Sequence, residues 1–285
     1  MIKIRKGLDL PITGAPRQSI EEGHQVRSVA VLGGDYVGMK PTMEVREGDM
    51  VKKGQILFTD KKTDGVKYTA PAAGKVIAIN RGDKRAFQSL VISLGASQTE
   101  SKLESISLKS PESYSREEVC KTLVESGEWM SLRQRPFEKV AAVGSTPKSL
   151  FVTAMDTQPL APNPEIVIEK YKEEFEAGLE VLSKLPEEKT YLCSAKALDV
   201  KTNSSIEAAE FTGPHPAGLA GTHMHFLDPV NLERVSWHVG YQDVIAIGHL
   251  FLKGSLKQHK VVALVGPRVK KPQLLEVYRG SKLSE

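Results

Sequence analysis

Cysteine is scarce: the 285-residue chain carries two, Cys120 and Cys193. Both sit in apolar-patterned segments (EEVCKTLV and TYLCSA), so buried free thiols are expected and a disulfide scaffold is excluded. Two thiols cannot hold an iron–sulfur cluster alone, and their usage points to a reducing compartment. Long hydrophobic runs are missing as well. No stretch approaches the length that crosses a bilayer, and the start, MIKIRKGLDLPITG, has no apolar signal core. A soluble protein is expected, one that can still sit on a membrane partner. Charge of one sign is lacking too. The net charge of +4 is spread along the sequence without a dense basic stripe, which argues against a nucleic-acid partner.

What is present is a globular composition, 40% hydrophobic and 26% charged, in a chain long enough for two or three cores. The organising stretch runs from Glu44 to Asn80. Two apolar-alternating runs, Val51 to Phe58 and Lys75 to Ile79, read as half-buried strands. Gly48-Asp49, Gly54-Gln55 and Ala70-Pro71 punctuate reversals between them, glycine supplying the positive φ a tight turn requires. The spacing resembles the biotinyl/lipoyl-type barrel-sandwich hybrid. Within it, Lys61 stands close to where a lipoyl carrier holds its modified lysine. Its distance from Gly54 is short for that apex, and an unmodified charged hairpin is expected.

Upstream, Gly33-Gly34 and Gly38 invite a dinucleotide-loop reading. No helix opens after them, however, and a phosphate loop needs a helix N-terminus to receive the charge. An exposed hairpin tip bearing Tyr36 is expected instead. Residues 96 to 114 read as a linker. Ser115 and Glu118 then form a capping box, with Gly127 as the helix stop. Ser149 to Met155 reads as a buried strand, Pro164 as a helix start, and Thr190 to Cys193 as the next strand. Strand, helix, strand at this spacing means a parallel sheet. Tyr241 to Phe251 reads as a further helix.

The segment FTGPHPAGLAGTHMHFLDPV holds His215, His223 and His225. Pro214, Pro216 and the glycines suggest an irregular loop. A metal set, hydrogen-bonded structural histidines, and a polar contact with a small molecule or partner all stay open, although no acidic or thiol partner completes a metal site.

With these segments in view, the chain resembles the NqrA family, the A subunits of bacterial Na+-translocating NADH:quinone reductases, along its whole length. The blocks that carry the resemblance are KGLDLPITGAP (from Lys6), DYVGMKP (from Asp35), REGDMVKKGQILFTDKK (from Arg46) and RPFEKV (from Arg135). VTAMDTQPLAP (from Val152), HPAGLAGTHMHFLDPV (from His215) and YQDVIAIG (from Tyr241) complete it. More distantly the layout is similar to RnfC and to the NADH-binding subunit of respiratory complex I.

The resemblance implies an α+β multidomain chain. A barrel-sandwich hybrid (biotinyl/lipoyl-like β domain) is expected over 1–102, a Rossmann-like α/β domain over 103–256, and the start of a β-grasp domain of SLBB type over 257–285. Family members continue beyond that point, so a truncated C-terminal part is expected. The family also implies a peripheral subunit on the cytoplasmic side of the bacterial inner membrane, docked on the membrane subunits. Its expected contribution is to the ubiquinone-reducing step coupled to sodium export, with no catalytic or metal-binding residue of its own.

Where the distant relatives carry a glycine-rich flavin loop, this chain has Gly127-Glu-Trp-Met-Ser-Leu-Arg-Gln-Arg-Pro-Phe137. Side chains that large block a loop meant to bring backbone amides to a phosphate. The expectation is a Rossmann-like fold without NADH, flavin or an iron–sulfur centre. Ubiquinone or partner contacts are expected at Tyr36, Trp129, Arg133, Arg135 and Phe137, with His215, His223 and His225. An aromatic can stack on the quinone and an Arg or His can donate to its carbonyls. Two alternatives are a carrier with a covalent cofactor on Lys61 and a stand-alone NAD(P)H–flavin oxidoreductase.

Overall fold

A computed structural model describes residues 1–284. Two short strands open the chain, β1 (Ile2–Lys3) and β2 (Arg17–Glu22). The next strands are β3 (Ser28–Leu32), β4 (Pro41–Met43), β5 (Met50–Val51), β6 (Ile56–Asp60), β7 (Lys67–Thr69), β8 (Gly74–Arg81) and β9 (Phe87–Leu94). There follow α1 (Arg116–Ser126), β10 (Arg133–Arg135), β11 (Lys139–Val140), β12 (Ser149–Thr153), α2 (Pro164–Lys170) and α3 (Lys172–Leu182). Then come β13 (Lys189–Ser194), β14 (Ile206–Thr212), α4 (Ala220–Leu227), β15 (Ser236–Gly240) and α5 (Tyr241–Lys253). A hairpin of β16 (His259–Leu264) and β17 (Gln273–Tyr278) ends the chain.

Strands β3 to β9 form two antiparallel sheets, ordered β3-β9-β8-β5 and β4-β6-β7. Period-two alternation turns Val29, Val31, Phe58, Val76, Leu90 and Ile92 inward, where all are buried. Gly48 and Gly54 take φ of +97° and +79°, as turns at those positions require. Thus the stretch from Glu44 to Asn80 builds the barrel-sandwich expected of it. Lys61 lies just below the hairpin apex, its N–H donating to Lys40 O at 2.9 Å.

The second unit is a seven-stranded sheet ordered β1-β14-β13-β12-β15-β10-β11. Strands β1, β14, β13, β12 and β15 run parallel, and β10 joins antiparallel. The capping box at α1 forms: Glu118 N–H donates to Ser115 Oγ at 3.2 Å and Ser115 N–H to Glu118 Oε2 at 2.7 Å. Asn163 caps α2, whose first turn carries Pro164. Helices α3 and α5 cross with backbone against backbone. A Cβ on Gly248 would lie 1.7 Å from Glu174 O, and one on Gly178 2.1 Å from Val244 O. No helix among the described residues is long and apolar enough to cross a membrane.

The alternating run at Met1 to Ile4 does not join the barrel. Instead β1 pairs with β14 at the edge of the α/β sheet, and β2 pairs with β17 in a third sheet ordered β16-β17-β2. Both pairings are parallel, and both reach across most of the chain. The barrel is tied to the α/β unit at another point. Thr69 Oγ1 on β7 donates to Ser126 O at the end of α1, at 2.9 Å and out of water.

Candidate functional site

From β12 the chain steps through α2 and α3 to β13 on one side, and later returns through α4 to β15 on the other. Strands β12 and β15 are therefore neighbours whose following connections diverge. In open α/β sheets such a switch point leaves a crevice outside the strands' carboxyl ends. Here a cleft of about 590 Å³ opens there. Thr153, Met155 and Asp156 line it from the end of β12, and Gly240, Tyr241 and Asp243 from the end of β15 and start of α5. The barrel contributes Leu32, Tyr36 and Pro71, and the C-terminal hairpin contributes Lys260 and Arg279.

A nucleotide at this position would set its phosphates on the amino end of α5. That end is already answered. Asp243 lies in the helix's first turn, where a carboxylate is stabilised by the helix dipole. Arg279 Nη2 and Lys260 Nζ approach its Oδ1 at 3.8 and 3.7 Å. The Gly127–Phe137 segment is filled likewise. Gly127 adopts φ +85°, and Trp129 behind it is 1% exposed, its Nε1–H donating to Ala141 O at 2.8 Å. Trp237 meets the indole edge-on at 5.4 Å, and Leu132 is fully buried. Trp129 and Leu132 are thus part of the core of the α/β unit.

The structure sorts the residues expected to make contacts. Tyr36 and Arg133 meet in the cleft, with the guanidinium 4.9 Å from the ring centroid. Tyr36 is not on an exposed hairpin tip: it follows a short 3-10 turn (Gly33–Asp35) and packs edge-on against Tyr68 at 4.7 Å. Its hydroxyl donates to Met130 Sδ at 3.1 Å, and burial pushes its pKa up to about 12 against the opposing pull of Arg133. Trp129 is a core residue and offers no surface to a ligand, which corrects its place among the expected contacts. Phe137 is 62% exposed at the tip between β10 and β11, away from the cleft lining. Arg135 Nε lies 2.8 Å from Glu138 Oε2. Glu138 also receives His238 Nε2 at 3.0 Å, and that hydrogen bond leads the forces holding the carboxyl below its ordinary pKa.

The three histidines do not converge. His225 sits on α4, which replaces the irregular loop expected over that part of the segment. His223, on the same helix, is buried, its Nε2 2.9 Å from Ala217 O, and burial lowers its pKa to about 4. It too leaves the list of contacts. His215 holds Thr157 Oγ1 through Nδ1 at 3.1 Å, and His225 faces solvent beside Phe226. Among the described residues no group of three or more His, Cys, Asp or Glu is placed to hold a metal ion.

Several cleft residues were not singled out from the sequence. Thr153 Oγ1 is buried without a hydrogen-bond partner, and burial raises the Tyr241 pKa to about 12. The switch-point rule, applied to the ends of the runs Ser149–Met155 and before Tyr241, would have found both. Arg279 gave no signal, because its partners Glu128 and Asp243 lie far from it along the chain.

Known families fit this architecture segment by segment. Residues 2–95 match the model of the NqrA N-terminal barrel-sandwich hybrid domain, and residues 114–256 that of the NqrA second alpha/beta domain. The chain belongs to the NqrA family. It is 58% identical over 287 residues to the NqrA protein of the Na(+)-translocating NADH-quinone reductase of Alcanivorax borkumensis. To the NqrA proteins of the same enzyme from Marinomonas sp. and Vibrio vulnificus it is 53% identical over 285 and 54% over 288 residues. Each match covers 100% of this chain and 64% of the relative, so the chain spans just under two thirds of the length of these NqrA proteins.

Proposed function

We propose that this chain serves as a peripheral subunit of a Na+-translocating NADH:quinone reductase, on the cytoplasmic face of the membrane, and that its cleft contacts ubiquinone. The assembly is taken from the names of its relatives, to which it is 52–58% identical. One observation supports the quinone contact above the rest: the cleft sets an apolar wall beside polar and charged side chains, and Thr153 Oγ1 is buried in it without a hydrogen-bond partner, so a ligand with an apolar ring and polar oxygens fits both. Met130, Met155, Leu219 and Leu256 supply apolar wall. Arg133 rests on Tyr36, and its guanidinium N–H groups make no hydrogen bond to a described residue. With Thr153 Oγ1 it gives donors that a quinone's carbonyl oxygens can accept from.

NADH and FMN suit the cleft poorly, since Asp243 stands where their phosphates would meet α5. Electron carriers then belong to other subunits, and this chain binds and orients. The carrier reading at Lys61 and the stand-alone flavin oxidoreductase are not favoured. A photoreactive ubiquinone applied to the assembled complex tests the proposal. Labelled peptides are expected between residues 128 and 158; labels confined to other subunits would overturn the quinone contact. Flavin bound by the purified chain at micromolar concentration would refute the loss of the nucleotide site.

A further inference from the structure

The loop that follows β1 exposes aliphatic side chains in an unusual way. It is pinned at both ends. Leu8 N–H donates to His215 O at 3.0 Å and Asp9 Oδ1 accepts His215 N–H at 2.9 Å, while Gly266 N–H donates to Gly14 O at 3.1 Å. Between these anchors Leu8, Leu10 and Ile12 are 67%, 52% and 43% exposed. Pro11 and a tight Ile12 N–H to Leu10 O bond of 2.8 Å keep the segment from pairing as a strand.

Cations flank this loop in space, though they are far apart in sequence. Lys3, Arg5 and Lys6 precede it. Arg268, Lys270 and Lys271 lie on the turn that packs along Gly14 to Arg17, where Arg17 N–H donates to Pro272 O at 3.2 Å. All of these cationic side chains are exposed, and none is in an ion pair with a described residue. Other surface lysines, such as Lys148 and Lys172, do hold acidic partners. The fold thus sets cations beyond both ends of the loop, while the loop's own Asp9 accepts His215 N–H and Glu21 pairs with Arg17.

We propose that this loop rests on an anionic lipid bilayer, with Leu8, Leu10 and Ile12 seated at the boundary between headgroups and acyl chains. The flanking cations then lie over phosphate-bearing headgroups, which attract basic residues placed beside an apolar anchor. Single aliphatic tips standing out from a pinned loop suit a fluid apolar boundary better than a rigid protein surface, which would need a recess for each. The proposal goes beyond the subunit role above, because it puts this chain's own side chains on lipid and needs no other subunit.

Flotation of the 285-residue chain with protein-free vesicles tests it, using phosphatidylcholine alone and an equimolar mixture with phosphatidylglycerol. Binding to the anionic vesicles is expected to weaken as salt rises. It should fall about fivefold for each cation removed in Lys3→Gln, Arg5→Gln and Lys6→Gln. The combined Leu8→Asn, Leu10→Asn, Ile12→Asn variant keeps the charge and should also lose binding. All these side chains are exposed, so an unchanged melting curve separates binding from folding. Equal recovery with both vesicle types overturns the proposal, as does full retention by the aliphatic variant. Binding to polyglutamate without binding to vesicles overturns it as well and assigns the cations to an acidic protein.

Discussion

Arg279, on the C-terminal hairpin, forms an ion pair with Glu128, 151 residues earlier, at the back of the cleft. Glu128 is buried and Arg279 keeps a fifth of its side chain in water. Glu128, followed by Asp243, holds the guanidinium firmly protonated against the cost of burial. Removing one member of such a pair leaves the other charge desolvated. Arg279→Met should therefore destabilise the chain by about 3 kcal/mol, the lower end for a buried pair, because Arg279 is not wholly dry. Urea denaturation measures this, and adding Glu128→Gln should restore much of the loss.

The two aromatics expected to act together in the Gly127–Phe137 segment should behave oppositely. Trp129→Ala empties a packed site and should cost about 3–5 kcal/mol. Phe137→Ala, at an exposed tip, should stay within about 0.5 kcal/mol. Equal urea midpoints for the two variants would contradict the packing described here.

Stability should fall in mild acid through His223. Its folded pKa of about 4 lies below the ordinary value of 6.5, because burial disfavours the charged ring. Between those values the unfolded chain binds more protons, so stability is full above the ordinary pKa and drains away as pH falls towards 4. The loss amounts to roughly 3 kcal/mol from this group. His223→Gln should flatten that part of the curve, as read from melting temperature against pH.

How much of this could be read beforehand depended on distance along the chain. The capping box at Ser115, the stop at Gly127 and helix α5 were legible because each is set by residues a few positions apart. Helix α4 was not. Pro214, Pro216 and Gly213 precede it, and its N-cap Leu219 makes no side-chain capping bond, so the local chemistry speaks of a loop. The candidate site was half legible. Tyr36 and Arg133 were named and do meet, while Trp129 and His223 were named and prove to be core. A sequence shows that a residue is aromatic or titratable; which side of the packing it lands on is decided by tertiary partners such as Ala141 and Ala217.

Glycines on two helices make a paired forecast. Gly248→Ala would drive a methyl into Glu174 O and must push α3 and α5 apart, costing about 2 kcal/mol or more. Gly221→Ala, in α4, meets only the end of Arg135 at 3.6 Å and should instead stabilise by about 0.5–1 kcal/mol. Thermal melts of the two proteins, run side by side, decide it.

Within the cleft, Arg133→Ala should reduce photoreactive-quinone labelling about tenfold, the loss expected for a charge-assisted hydrogen bond, while leaving the urea midpoint near wild type. Labelling unchanged by the substitution would remove Arg133 from the contact.

The parallel pairing of β2 with β17 also dictates an order of events at the ribosome. Ile20 emerges early, whereas its neighbour Leu274 is made about 250 residues later. At ordinary elongation rates of roughly 5–20 residues per second, that interval is on the order of ten to fifty seconds. Throughout it the leading segment has no mate, although the barrel behind it can already close. Birth order and spatial order are thus opposed in this molecule, and its first residues are among the last to find their place.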